Sequence, residues 1–314
     1  MRIVLAGASG FIGQYLYDAF VAEGHEVSRI GRSGPDARWG DLPAITALVD
    51  GADAVINLAG KSVNCRYTDV NRLEIFRSRL DTTNALAAAI AASKKPPRVW
   101  LNSSTATIYR HAEDRPQTES AGEIGTGFSV NVATAWEKAF FEPELPGTRR
   151  VALRMAIVLG DGSVIPPLVR LARFGLGGAQ LDGRWPATQA RLTAGTYHRF
   201  GASGGRQRFS WVHIADVLGS IRFLIENDGV EGVVNISSPN PSDSRGFMGM
   251  LRRVLKVPFG IPTPRFVLEI GSLAIRTETE LVLKSRWVVP ERLLAEGYEF
   301  EYPELEPALR QILA

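Results

Sequence analysis

A chain that runs a short apolar strand into a glycine-spaced turn, and the turn straight into a helix, has few folds open to it. Residues Ile3–Ala6 form such a strand, Gly7-x-x-Gly10-x-x-Gly13 is the turn, and the spacing of Tyr15, Leu16, Ala19 and Phe20 predicts the helix. Glycine at 7 permits the tight turn, glycine at 10 leaves bare backbone for a pyrophosphate, and glycine at 13 lets helix and strand approach closely. The helix N-terminus then presents N–H groups and a positive dipole end. Gly7, Ser9, Gly10, Phe11, Ile12 and Gly13 are therefore expected to grip a dinucleotide. A glycine triplet alone can be merely structural; here the flanking strand and helix give it its meaning.

The rest of the first half repeats the rhythm. His25–Ile30 and Ala54–Leu58 read as strands, Leu42–Val49 and about Asn71–Ala92 as helices, and Arg98–Asn102 as a further strand. Alternating β and α units imply a parallel sheet covered on both faces, with the strands' C-terminal ends along one rim. The second half changes character. Val151–Leu159 reads as one strand, and Gly175–Gly205 as a long loop or flap. Val212–Ile225 is helical in spacing, Val233–Ile236 a short strand and Phe247–Leu255 a helix, with Arg292–Leu313 a helical, turn-rich appendage. The expected division is a dinucleotide domain over 1–160, to which 206–240 returns, and a substrate-side part over 161–314.

Composition excludes several classes. Of 314 residues, 36 are Lys or Arg and 33 Asp or Glu, a net charge of +3 without a basic block, so a nucleic-acid partner is not expected. Cys65 is the only cysteine, which rules out an internal disulfide and a cysteine-based metal site, and no metal is expected. No apolar run reaches membrane-spanning length, and Met1 abuts the first strand. A cytoplasmic protein with no membrane partner is the expectation, acting on a small molecule, with a homodimer left open.

Arg32 and Ser33 follow the second strand, where an NAD-binding chain carries an acid for the ribose 2′-hydroxyl. Arg29 and Arg32 stand there instead, and a guanidinium pairs with a 2′-phosphate that an acid would repel. The expectation is NADP(H), against the alternative that Arg32 is a solvated loop residue. Asp41 and Leu42 are placed to meet an adenine edge, and Leu58, Ala59 and Gly60, after Asn57, extend the groove that Gly7 begins.

Ser103-Ser104-Thr105, with Tyr109 four residues on, follows the strand ending at Asn102. With the glycine turn and the Asn57–Gly60 turn, this segment resembles an extended short-chain dehydrogenase/reductase of the NAD(P)-dependent epimerase/dehydratase type. The stretch Arg206–His213 with Asp216, the run Asn235–Pro241, and Trp287–Pro290 with Leu293, Gly297 and Phe300 resemble one atypical epimerase-like subgroup. That subgroup carries a short C-terminal domain of unknown function. The likeness spans nearly the whole chain except about Gln180–Phe200, which reads as an insertion. It implies a doubly wound parallel α/β sheet of Rossmann type with a smaller C-terminal substrate subdomain. It also implies that Glu74 and Arg79 reach the cofactor's ribose and phosphates, although Glu74 and Arg77 are equally spaced for a surface pair.

The family's machinery is a Ser or Thr with a Tyr-x-x-x-Lys pair, the Lys lowering the Tyr pKa. Thr105 matches the first position. On the register set by Trp136-Glu137, Ala133 replaces the Tyr and Glu137 the Lys, while Thr134 and Lys138 have the spacing one residue later. Thr105, Tyr109 and Glu137 are the candidate catalytic residues. Tyr109 reads equally as a loop aromatic, and Glu137 either as a base or as the partner of a nearby Arg. His213 and Asp216 read as helix-fastening residues. Arg66, Arg206 and Gln207 are the candidates for an anionic substrate. An NADP(H)-dependent oxidoreductase or epimerase-like enzyme is the leading expectation, a non-catalytic NADP(H)-binding sensor or scaffold the alternative, and a sugar-nucleotide epimerase a third.

Overall fold

A computed structural model describes residues 1–162, 164–201 and 204–314 of the chain. The first half is β1 (Arg2–Ala6), α1 (Phe11–Ala22), β2 (Glu26–Gly31), β3 (Ala37–Arg38), α2 (Leu42–Val49), β4 (Ala54–Asn57), α3 (Asp69–Ala92), β5 (Val99–Thr105) and α4 (Phe128–Phe141). Then come β6 (Arg149–Met155), β7 (Ile157–Leu159), α5 (Ile165–Leu171), α6 (Gln189–Thr193), β8 (Arg208–Phe209), β9 (Trp211–His213) and α7 (Ile214–Glu226). The chain closes with β10 (Gly232–Ile236), β11 (Ser242–Asp243), α8 (Ser244–Val254), α9 (Arg265–Ala274), α10 (Glu280–Leu283), α11 (Glu291–Ala295) and α12 (Leu305–Ile312).

Seven strands pair in the order β10-β6-β5-β4-β1-β2-β3, every pairing parallel. The order reverses between β1 and β4, where a doubly wound sheet opens a crevice at its C-terminal rim. Strand periodicity sorts the core into two layers. Ile3 and Leu5 of β1, with Ala54 and Ile56 of β4, pack under α1 and α7 through Leu16, Phe20, Val217 and Ile221. Val4, Ala6 and Val55 point to the other face, against Ile45 of α2, Leu86 and Ile90 of α3 and Phe140 of α4. A third core joins Leu159, Val169, Trp211, Phe247, Leu251 and Leu309.

Four segments differ from expectation. Val151–Leu159 is not one strand: β6 pairs with β5 and β10 as far as Met155, and after Ala156 the chain pairs with β9 as β7. An apolar run is the same in either register, so the change of partner leaves no mark on it. The helix expected from Val212 starts at Ile214, because Trp211–His213 forms β9 and the His213 Nδ1 accepts from the Ala215 N–H. Within the expected loop 175–205 lies α6, capped by the Thr188 hydroxyl on the Arg191 N–H. The segment 292–313 is no appendage, since Leu293 belongs to the first core and Leu305, Ala308 and Leu309 to the third.

Candidate functional site

The glycine turn is built as its spacing demands. Gly7 lies at φ +84°, and a Cβ there would sit 2.8 Å from the Leu58 and Ala59 backbone. A Cβ on Gly13 would sit 2.3 Å from the Gly7 carbonyl oxygen, whereas one on Gly10 would meet nothing closer than that oxygen at 3.5 Å. Two glycines are thus needed by the protein's own packing, and the middle one faces open space. Gly10 caps α1 without a side-chain bond, so the helix N-terminus carries no ligand of the protein's own making. Ser9 is exposed beside it, with Phe11 and Ile12 half-buried in the first turn.

The rim continues across the sheet. Arg32 and Ser33 are exposed after β2 and take part in no side-chain hydrogen bond or ion pair among the described residues. The nearest acid, Asp36, turns its carboxylate to the Arg29 N–H at 2.7 Å, and the Arg29 guanidinium lies over the Tyr17 ring at 4.3 Å. Arg38, which the sequence analysis passed over, is a second exposed cation, on the residue of β3 that pairs with Gly31. Asp41 is occupied with capping α2, accepting from the Ala44 N–H at 3.1 Å, and Leu42 is exposed in the first turn.

Beyond β4 a buried ladder of amides fixes the turn at Leu58–Gly60. Asn57 donates to Asn102 at 2.7 Å and accepts from the Ala59 N–H at 3.0 Å, and the Trp136 indole donates to Thr83 at 2.9 Å. Over this ladder lies Arg79. Its guanidinium donates to the Lys61 and Ile75 carbonyls and covers the Trp136 ring at 5.0 Å, and it is the group a Cβ on Gly60 would meet at 3.2 Å. Burial pushes its pKa down to about 10, and among the described residues no carboxylate pairs with it. A charge held in protein without a counter-ion is a place for an anion. Glu74 instead pairs with Lys61 at the surface, not with Arg77.

The three candidate catalytic residues lie in one quarter of the site. Thr105 ends β5, and its hydroxyl oxygen accepts from the Thr107 N–H at 3.1 Å, so its own hydrogen is left to donate elsewhere. Ser103 is buried one residue pair back on the same strand. The Ser104 hydroxyl donates to Glu137 at 2.6 Å, and Glu137 binds Arg154 through both oxygens, at 2.8 and 2.7 Å. Arg154 in turn donates to the Tyr109 hydroxyl at 2.9 Å, which donates to Asn235 at 2.9 Å. Tyr109 is 1% exposed and packs on Ala133, and burial raises its pKa despite the nearby guanidinium. Ser104, Glu137, Arg154, Tyr109 and Asn235 form a continuous chain from β5 through α4 and β6 to β10. Arg154 went unnoticed in the sequence, although a cation within Val151–Met155 is itself a signal, because a central parallel strand is buried on both faces.

The substrate-side candidates separate. Arg66 pairs with Glu278 at 3.3 Å and donates to the Thr277 carbonyl, and it lines a cavity of about 120 Å³ with Tyr67, Arg191, Thr196 and Glu278. Gln207 is buried and donates to the Gln180 carbonyl at 2.9 Å, tying the insertion down, while Arg206 is exposed. The segment 180–200, read from the sequence as an insertion, lies across this side. His198 contacts Glu280 at 3.3 Å and stacks on Phe200, which stacks on His111. Glu280 also accepts from Ser129 at 2.8 Å. Burial would raise the Glu280 pKa, but His198, Lys284 and Ser129 outweigh it and hold the carboxyl at about 2. Burial pushes Lys284 down to about 8, with its ammonium donating to the Thr107 carbonyl at 2.7 Å. Among the described residues no group of His, Cys, Asp and Glu is arranged to hold a metal ion, and no helix is long and apolar enough to cross a membrane.

Comparison with known proteins matches this architecture. Residues 3–130 match the NAD dependent epimerase/dehydratase family, and residues 263–312 a domain of unknown function, DUF1731. The epimerase family protein SDR39U1 of Bos taurus is 33% identical over 323 residues, covering 100% of both chains. The epimerase family protein YfhF of Bacillus subtilis (strain 168) is 30% identical, covering 100% of this chain and 98% of that one. The crystal structure of human epimerase family protein SDR39U1 (isoform2) with NADPH superposes with a TM-score of 0.83 at 30% identity, covering 99% of each chain.

Proposed function

The chain belongs to the NAD-dependent epimerase/dehydratase family, and from that premise we propose that it is an NADP(H)-dependent oxidoreductase or epimerase-like enzyme acting on a small anionic molecule. The observation that carries the cofactor reading is the division of labour among the three glycines. Gly7 and Gly13 are filled by the protein, while the Cβ direction of Gly10 is open at an uncapped helix N-terminus. The pyrophosphate belongs there, with the unpaired Arg79 a further cation on the same rim. Arg32 and Arg38 have no side-chain partner among the described residues and stand where a 2′-phosphate would lie, two cations against the single exposed carboxylate of Asp36, which accepts from the Arg29 N–H. The human relative crystallised with NADPH supports the same choice. When bound, the nicotinamide supplies or takes up the hydride.

The chain's own contribution is to orient and polarise. Thr105 offers its hydroxyl hydrogen to the reacting oxygen, because the Thr107 N–H fixes one of its two lone pairs and that hydrogen has no acceptor among the described residues. Tyr109 and Glu137 act differently from the Tyr and Lys of the family pattern. The Tyr109 hydroxyl has both a donor and an acceptor, and Glu137 accepts three hydrogen bonds from Arg154 and Ser104. They serve as positioning residues that hold the end of β5 against α4 and β6. Arg66 and Arg191, which share Glu278 across the small cavity, are the cations for which the anionic end of a substrate would compete.

Calorimetric titration with NADPH and NADH tests the cofactor reading. NADPH should bind at least about tenfold tighter, a preference that Arg32→Ala and Arg38→Ala remove. Equal affinities in the wild type overturn it. A screen for NADPH oxidation over carbonyl compounds tests the reaction, with Thr105→Ala expected to lower turnover by about two orders of magnitude. A second reading, a binding protein without turnover, is favoured by one observation: α4 carries no phenol, and the Tyr109 hydroxyl is already committed. Tight NADPH binding with no turnover of any carbonyl compound would select it.

A further inference from the structure

Helix α9 is amphipathic in the reverse sense. Its inward positions are Arg265, Glu269 and Ser272, all buried, and its outward positions at i, i+4 and i+7 are Phe266, Ile270 and Leu273. The polar face is fully engaged. Arg265 binds Asp182 at 2.6 Å, Glu269 at 2.6 Å and the His198 carbonyl at 3.0 Å, while Glu269 also binds Arg191 at 3.2 Å and accepts from Thr279. A surface helix ordinarily turns its apolar stripe to the core. Here the core side is ionic because it holds the segment 180–200, and the apolar stripe is left outside.

The stripe belongs to a larger surface. Ile261 donates its N–H to the Gly175 carbonyl and Phe259 lies against Gly175, so the loop before α9 is laced to the end of the helical segment that includes Phe174. Phe174, Phe259 and Ile261, the three stripe residues, and Ile275 beyond them are each between 55% and 82% exposed. Taking roughly 200 Å² for a fully exposed Phe and somewhat less for Ile or Leu, they present on the order of 800 Å² of apolar surface. That exceeds the roughly 300–600 Å² of the largest apolar patch on an ordinary monomer and equals one partner's share of a standard interface, about 800 Å². Between residues 257 and 277 the one exposed charge is Arg276, so the centre of the face is depleted of charge, as homodimer interfaces are. The exposed charges of the flanking segments, Arg170, Arg173, Arg253 and Lys256, are all cationic and lie outside the stretch 257–275.

We propose that this face binds a second copy of the chain, α9 meeting its symmetry mate in an isologous two-fold contact. A bilayer is the less fitting occupant, because the face itself carries a single cation and the basic side chains are peripheral. The contact has a consequence for the site. It clamps the outer side of the helix whose inner side holds Asp182, Arg191 and His198 of the insertion, so assembly stiffens the cover over the Arg66 cavity.

Sedimentation velocity on the full chain tests this, over a concentration series at low and high salt. The wild type should be a dimer dissociating in the micromolar range or below, and dimerisation should strengthen with salt, because salt screens the like-charged rims. Ile270→Glu and Leu273→Lys should each weaken the dimer on the order of a hundredfold or more. Their melting temperatures at monomer concentrations should match the wild type's, since both side chains are exposed. Flotation with vesicles of phosphatidylserine and phosphatidylcholine accompanies it. A wild type that stays monomeric at about 100 μM, far above the dissociation constant expected of such an area, overturns the proposal. So does a dimer unaffected by either variant, and so does vesicle binding by a monomer that the variants abolish and salt weakens.

Discussion

Replacing Gly13 by alanine places a methyl carbon 2.3 Å from the Gly7 carbonyl oxygen and 2.8 Å from Ala8 Cα. Both are backbone atoms of the phosphate turn, so no side chain can swing aside, and α1 must move off β1. Overpacking of this kind costs about 1–3 kcal/mol. With an unfolding entropy of roughly 2.1 cal/mol/K per residue, that lowers the melting temperature of a chain this size by about 2–5 °C. Gly10→Ala is the opposite case. Gly10 has φ −81° and ψ 168°, open to any residue, and its Cβ would meet nothing nearer than 3.5 Å. The entropy lost from the unfolded chain, about 0.4–1 kcal/mol in favour of alanine, is offset by about 0.5–1 kcal/mol for the poorer cap, so stability should hardly change. The methyl group would stand where the pyrophosphate should rest on bare backbone. NADPH affinity should fall about 10- to 100-fold, or about 1.4–2.8 kcal/mol. Differential scanning fluorimetry with and without NADPH, together with calorimetry, reads both quantities. If Gly10→Ala binds NADPH as the wild type does, or if Gly13→Ala melts unchanged, the division of labour among the glycines is wrong.

Three further predictions concern the charged interior. Arg154→Met strands the Glu137 carboxylate in the core and should cost about 3–5 kcal/mol in urea unfolding, most of it recovered in Arg154→Met/Glu137→Leu. A double variant as unstable as the single one would count against the buried pair. Lys284 has its pKa lowered by burial from the ordinary 10.5 to about 8. The unfolded chain therefore holds more protons between those values, and stability should rise with pH across that window, by at most about 1.4 kcal/mol per unit. Lys284→Met should flatten the rise. Burial, with Lys284 nearby, lowers His111 from 6.5 to about 4, so stability should be lost as pH falls from 6.5 through 4. The loss follows from charging a buried imidazole beside Lys284, and His111→Asn should abolish it in a melting-temperature profile.

How much of this was readable in the sequence depended on whether the signal was local. The glycine turn, α2 and the alternation of Ile3, Val4, Leu5 and Ala6 between two core layers are fixed by residues a few positions apart, and periodicity finds them. Arg79 was indicated by the family resemblance, and its lack of a counter-ion follows from tertiary packing that no spacing expresses. The Glu137–Arg154–Tyr109–Asn235 chain joins residues up to 126 positions apart and is invisible to any window. Helix α9 carries a readable apolar period, but the period names a face and not its direction. Only Asp182, Arg191 and His198, brought over by the insertion, decide that the polar side goes inward.

Ala156 is a single residue between two allegiances. Its N–H still reaches back to the Ile236 carbonyl in the large sheet, while that of Ile157 already goes to Ser210. On the neighbouring strand Trp211 packs into the third core and Val212 into the first. Two layers stitched through adjacent residues cannot swivel about a flexible joint, because any rotation would shear the β7–β9 pairing or pull Ala156 off the sheet. The sheet and the third core are thereby joined into one floor beneath the segment 180–200, with no hinge between them at this crossing.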